Sequence, residues 1–148
     1  MKRVLGAVFG VSLLGSVLSA HVMVSPPVSK PGVTQVYELR VHNETKVATT
    51  SLDLDVPADI TVLSVDQPAT GKVETHKAGD RISGFTWTVD VAPSKYVAMK
   101  FSAKNPATDK EVSWNVKQHM ADGSTIEWSD KPGAKEHASV TKISASTN

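Results

Sequence analysis

The chain of 148 residues contains no cysteine, which excludes structural disulfides, thiolate metal sites, cysteine nucleophiles and lipidated cysteines. Aromatic residues are only 5% of the sequence, too few for a broad aromatic binding platform beside a core that also needs them. No strong charge of either sign is present: the formal net charge is +1, which excludes a strongly basic nucleic-acid binder and a polybasic membrane-surface protein. No stretch carries a helical apolar stripe of useful length. Phosphate-cradling glycine loops, Gly-x-Ser-x-Gly elbows and His-Glu-x-x-His zinc patterns are also lacking.

The one long apolar run lies at the start. Lys2 and Arg3 precede an apolar stretch from Val4 to Leu18, which ends in the small residues Ser19 and Ala20. This is the pattern of a secretory signal peptide over residues 1–20, and the run is short for a membrane span. Cleavage after Ala20 removes two basic residues and leaves a chain from His21 with a formal charge of −1. The mature chain is expected to be exported, periplasmic and without a membrane anchor.

From there on, period-2 alternation dominates. Tyr37, Leu39 and Val41 oppose Glu38 and Arg40; Leu52, Leu54 and Val56 oppose Asp53 and Asp55. Similar rows are Phe85-Trp87-Val89-Val91, Val97-Met99-Phe101-Ala103, Val112-Trp114-Val116 and Ile126-Trp128, with a shorter β-branched run at Ile60–Val65. Lys72–Lys77 reads as a polar edge strand, and Asp122-Gly123 as a tight hairpin between the Trp114 and Trp128 strands. Turn residues at Pro26-Pro27, Pro31-Gly32, Asn43, Pro57 to Asp59, Ala78 to Asp80 and Asn105-Pro106 separate the rows. The pattern predicts an all-β fold, an antiparallel β-sandwich, in one domain over 21–130. The tail 131–148, with Lys131-Pro132-Gly133 and a Ser/Thr-rich end, reads as loosely ordered.

The residue with the most chemistry is His21, because cleavage would make it the first. An N-terminal histidine offers its α-amino group and imidazole Nδ1 to one metal ion in a six-membered chelate ring. Nitrogen donors in such an array suit Cu(II), which also tops the divalent affinity order. Glu44 could add a carboxylate oxygen, although a turn carboxylate is ordinarily just solvated. His42, two residues before Glu44, points the same way in extended chain and is the best candidate for an extra ligand. His119 beside Met120 would suit Cu(I), whereas Met in a small sandwich more often fills gaps. Trp87 and Trp114 belong to apolar rows and are assigned to the core; Trp128 also shares a face with Ile126. His76 reads as surface and His137 as part of the tail.

The start His21-Val22-Met23-Val24-Ser25-Pro26 resembles that of the YcnI-like copper-binding family, exported domains that begin His-Val-x-Val-x-Pro. The resemblance continues through Val36 to Glu44, Val56-Pro57, Ile60 to Val65, Phe85-Thr86-Trp87, and Gln118 to Gly123 followed by Trp128. It implies a cupredoxin-like or immunoglobulin-like sandwich with a single-histidine copper brace. In it His21 supplies amine and imidazole, Glu44 a carboxylate oxygen, and Trp128 stands beside the metal. It further implies carriage, buffering or delivery of copper as Cu(II), with another copper-handling protein as partner, rather than catalysis. This chain departs from the family pattern at Met120, where an aromatic is common, at His42, where Pro is common, and at Gly71-Lys72, where Gly-Trp is expected. Two other readings stand beside this one: a copper-dependent oxidative enzyme of the polysaccharide-cleaving type, and a metal-free structural module.

Overall fold

The computed structural model describes residues 21–146; the expected signal peptide, residues 1–20, lies outside the described residues. Among the described residues eleven strands follow one another: β1 (His21–Ser25), β2 (Val28–Ser29), β3 (Thr34–His42), β4 (Thr49–Asp55), β5 (Thr61–Val65), β6 (Lys72–Ala78), β7 (Arg81–Val91), β8 (Tyr96–Lys104), β9 (Lys110–Met120), β10 (Thr125–Trp128) and β11 (Ser139–Ile143). They build two sheets. One has the order β1-β3-β8-β5; the other has the order β2-β11-β9-β4-β7-β6, with β10 also paired to β9. All pairings are antiparallel except β2 with β11. The all-β sandwich expected from the alternation is therefore the fold. The polar strand β6 sits at a sheet edge as its composition predicts.

The alternating residues explain why the two sheets face each other. Tyr37, Leu39 and Val41 of β3 and Met99, Phe101 and Ala103 of β8 are buried, against Leu52 and Leu54, Phe85 and Trp87, and Val112, Trp114 and Val116 from the other sheet. The aromatic rings interlock at the centre: Tyr37 lies 5.0 Å from Trp114, and Phe101 lies 5.2 Å from Phe85 and 5.6 Å from Trp114 between centroids. Contacts of this kind add to the burial of large apolar area. Of the aromatic residues described, only Tyr96 is exposed. Trp87 and Trp114 are core residues, as their rows predict.

Tyr37 carries the one hydroxyl in this cluster, and it donates to Asn105 Oδ1 at 2.5 Å. Burial pushes its phenol from 10.0 up to about 12, against the lowering influence of hydrogen bonds with Asn105 and Ser29. The unfolded tyrosine releases its proton near 10 and the folded one only near 12. Between those values the native state holds more protons than the unfolded state, so stability falls as pH rises, by about 1.4 kcal/mol per pH unit. Urea unfolding across pH 9–12 should show this slope, and Tyr37→Phe should flatten it. An equal slope in the variant would assign the alkaline loss to other groups.

The chain's start follows the sequence reading and its end departs from it. At the start, Pro26-Pro27 cannot extend a hydrogen-bonded ladder, so the chain leaves the first sheet after β1 and joins the second at β2. At the end, the domain does not stop at Asp130, and the tail is not loose. Ser139–Ile143 forms β11, paired from Ser139↔Trp114 to Ile143↔Lys110 along the first half of β9, while β10 pairs with the second half. The physical reason is the polar inner face of β11. Thr141 is fully buried and accepts a hydrogen bond from Trp114 Nε1 at 3.0 Å, a partner that a buried indole N–H requires. Ser139 Oγ accepts from the Val24 amide at 3.0 Å and donates to the Val24 carbonyl at 3.1 Å. Thr141 Oγ1 donates to the Pro26 carbonyl at 3.1 Å. The C-terminal strand thus fastens β1 and the turn after it.

Candidate metal centre

The candidate site forms where β1 meets β3. Antiparallel pairing puts His21 directly across from His42, with Val22 across from Val41. Val22 and Val41 are buried, so by strand alternation His21 and His42 share the outer face. Glu44 follows in the loop after β3. His21 Nδ1 stands 3.3 Å from Glu44 Oε2, and His42 Nδ1 stands 3.3 Å from Glu44 Oε1. The three side chains each offer one ligand atom within 4.8 Å of the others, the one such group of His, Cys, Asp and Glu among the described residues. Their side chains are 58%, 43% and 27% exposed for His21, His42 and Glu44, so an ion can reach them from solvent.

Glu44 owes its position to Asn43. That residue is fully buried. Its Nδ2 donates to the carbonyls of Val47 and Val91, each at 2.8 Å, and its Oδ1 accepts from the amide and hydroxyl of Thr45 at 3.0 and 2.7 Å. An Asx turn of this kind closes Asn43-Glu44-Thr45 with the glutamate at its apex. The sequence reading marks Asn43 only as a turn residue; the Asn-x-Thr spacing is the signal for its larger role. Asn43→Ala would leave the buried Val91 carbonyl without its donor and release the turn. We expect a loss of about 2–3 kcal/mol in urea unfolding, together with weaker metal binding. Stability within 0.5 kcal/mol of wild type would contradict the account of this turn (about the spread of neutral surface substitutions).

Trp128 is buried at the end of β10 and packs into the core cluster. Its Nε1–H donates to Gln118 Oε1 at 3.1 Å, and Gln118 Nε2 donates to Thr49 Oγ1 at 2.7 Å. The ring is thereby tied to the first residue of β4, the strand that follows the Glu44 loop. An indole nitrogen is a donor only, so any part Trp128 plays at a metal is through its ring.

His119 and Met120 do not act together. Neighbours on a strand point to opposite faces: Met120 is buried, its Sδ accepting from Thr49 Oγ1 at 3.8 Å, whereas His119 is on the outer face of the other sheet. There His119 Nε2 meets Asp53 Oδ2 at 2.8 Å, Thr86 Oγ1 donates to Asp53 Oδ1 at 2.6 Å, and His76 Nε2 meets Thr86 Oγ1 at 2.6 Å. Partial burial raises the Asp53 carboxyl, but its bonds from Thr86 and His119 and the charges of His119 and His76 outweigh that and hold it below the usual carboxylate range. Thr86 satisfies both Asp53 and His76, and this row is a solvated hydrogen-bond chain.

Two imidazoles and a carboxylate are the donors that first-row divalent ions prefer. Such ions bind nitrogen and oxygen at about 2.0–2.2 Å, so two donors on one ion stand about 2.8–4 Å apart. The 3.3 Å separations in the cluster satisfy that requirement, and the residues present fit a copper ion.

Comparison with known proteins agrees with this architecture. The copper-binding protein CutI of Bacillus subtilis (strain 168) is 30% identical over 143 residues, covering 90% of this chain and 70% of CutI. A protein from Nocardia farcinica with an immunoglobulin-like fold superposes with a TM-score of 0.72 at 20% identity, covering 84% of this chain and 99% of that one. A non-cellulosomal cohesin from Archaeoglobus fulgidus superposes with a TM-score of 0.51 at 11% identity, over 85% and 91% of the two chains. Both structural likenesses concern the fold alone. Residues 21–146 match the family model described as a domain of unknown function, DUF1775, and the chain belongs to that family, the YcnI-like family which its opening motif resembles.

Proposed function

We propose that the protein is an exported, periplasmic copper carrier that binds one Cu(II) at the N-terminus created by cleavage after Ala20. The observation that carries this reading is the cluster at His21, formed at the residue where the family match begins. The similarity to the copper-binding protein CutI supports the choice of metal. In this reading the freed α-amino group and the His21 imidazole chelate the ion, and the Glu44 carboxylate offsets part of its charge. Trp128 stands beside the metal, where its ring shields the ion from water or faces a reduced cation. The ion is cargo, passed to or from another copper-handling protein. A polysaccharide-cleaving role is disfavoured by the burial of every described aromatic except Tyr96.

The roles separate by substitution. Glu44→Gln should weaken Cu(II) binding by at least about 10-fold, more than that if the loss of a ligand exceeds the cost of an outer-shell partner, with the fold intact by circular dichroism. Trp128→Phe should keep binding but change the copper spectrum or ease of reduction. Competitive chelator titration and electron paramagnetic resonance give both readouts. Identical affinities and spectra in wild type and both variants would refute these roles.

A further inference from the structure

We infer that His42 is a copper ligand in its own right, so that the site holds its ion with two imidazoles. This rests on the copper reading above but goes beyond a single-histidine brace. Three observations carry it. The β1–β3 register sets His42 directly opposite His21, on the same outer face. Each ring turns its Nδ1, not its carbon edge, toward Glu44, and each takes a different carboxylate oxygen at the same 3.3 Å. His42 is also held in place from its own chain. The next residue, Asn43, is fully buried, its amide donating to the Lys95 carbonyl and its carbonyl accepting from the Ser94 amide. The His42 backbone therefore stands at the site before any ion arrives, leaving only the ring to be ordered, which lowers the cost of binding.

The chemical consequence concerns the α-amino group. A brace of amine, one imidazole and one carboxylate loses its chelate ring when that amine is an amide. His21, His42 and Glu44 together still offer two nitrogens and an oxygen through side chains alone. The site therefore binds copper, more weakly, even when a residue precedes His21.

The test uses the protein starting at His21, the same protein with one alanine ahead of His21, and His42→Ala in each. Each is loaded with one equivalent of Cu(II) and its imidazole nitrogens counted by pulsed electron paramagnetic resonance. The expected result is two coupled imidazoles in both parent proteins and one in the His42→Ala form that starts at His21. Affinity in that form should fall by more than about 100-fold, beyond what loss of an outer-shell partner costs. The extended His42→Ala protein should lose the remaining defined site. One imidazole in the parent starting at His21, with spectra unchanged by His42→Ala, would overturn the inference and leave the His21–Glu44 brace standing. A smaller fall in affinity without loss of a nitrogen would also overturn it, making His42 a hydrogen-bond partner of Glu44. Absence of any bound copper in the parent proteins would overturn both readings. The His42 side chain is half-exposed on the outer face of β3, so circular dichroism of the variants should match the parents.

Discussion

A single extra residue ahead of His21 is expected to cost the protein its tight copper binding, by more than about 100-fold, while leaving the fold untouched. The fall exceeds what an outer-shell partner contributes because the extension turns a chelating amine into a non-basic amide. His21→Ala should do the same, removing the imidazole and breaking the same ring. The fold is indifferent to both changes because His21 is an exposed strand end whose neighbours Val22 and Val24 supply the burial. The pairing is specific: an extended protein and His21→Ala should both unfold like wild type in urea and both fail in competition against a Cu(II) chelator. Retention of full affinity by the extended protein would show that the amine is not a ligand.

Truncation after Asp130 is expected to have the largest effect on stability. The lost segment includes β11, which covers the first half of β9 and buries Ile143 and Thr141. Its removal leaves the Trp114 indole N–H without Thr141 and opens the core beside it. The cost should be at least about 3–5 kcal/mol, comparable with truncating a buried aromatic, out of a typical total of about 5–15 kcal/mol. The same deletion removes Ser139 and Thr141 from Val24 and Pro26. Strand β1 would then depend on β3 alone, and His21 with it. The expected outcome is a protein that is partly or wholly unfolded at room temperature, and that binds copper weakly where folded. A truncated protein with unchanged urea midpoint and copper affinity would contradict the role given to β11.

That strand also shows where a reading by hydrophobic alternation stops. Strands β3 to β5 and β7 to β10 are legible because inward residues in them are apolar or aromatic, and period 2 is visible directly in Leu52-Leu54 or Trp114-Val116, whereas β6 is legible as a polar edge. In β11 the inward residues are Ser139, Thr141 and Ile143, while Val140 points outward. Its inner face is chosen for hydrogen bonding to Trp114, Val24 and Pro26, and hydropathy carries no trace of that. Strand β2 is two residues long and shows no period at all.

The site divides in the same way. His21 and Glu44 stand out through the family resemblance at the opening motif and over Val36 to Glu44, and the spacing of His42 from Glu44 already suggests a shared side. What the sequence cannot express is that β1 returns beside the end of β3 with His21 and His42 in register. Nor does it show that buried Asn43 holds Glu44 between them. The pairing of His119 with Met120 fails for the opposite reason. Adjacent residues on a strand diverge, and here the strand is long and regular enough to enforce it.

Copper binding at a newly made N-terminus is read out by the intact mass of the exported protein, recorded under native conditions with and without added Cu(II). The expected result is a chain beginning at His21 that gains the mass of one copper ion. A chain beginning at Ser19 or any other residue, or one starting at His21 that takes up no copper, would contradict it.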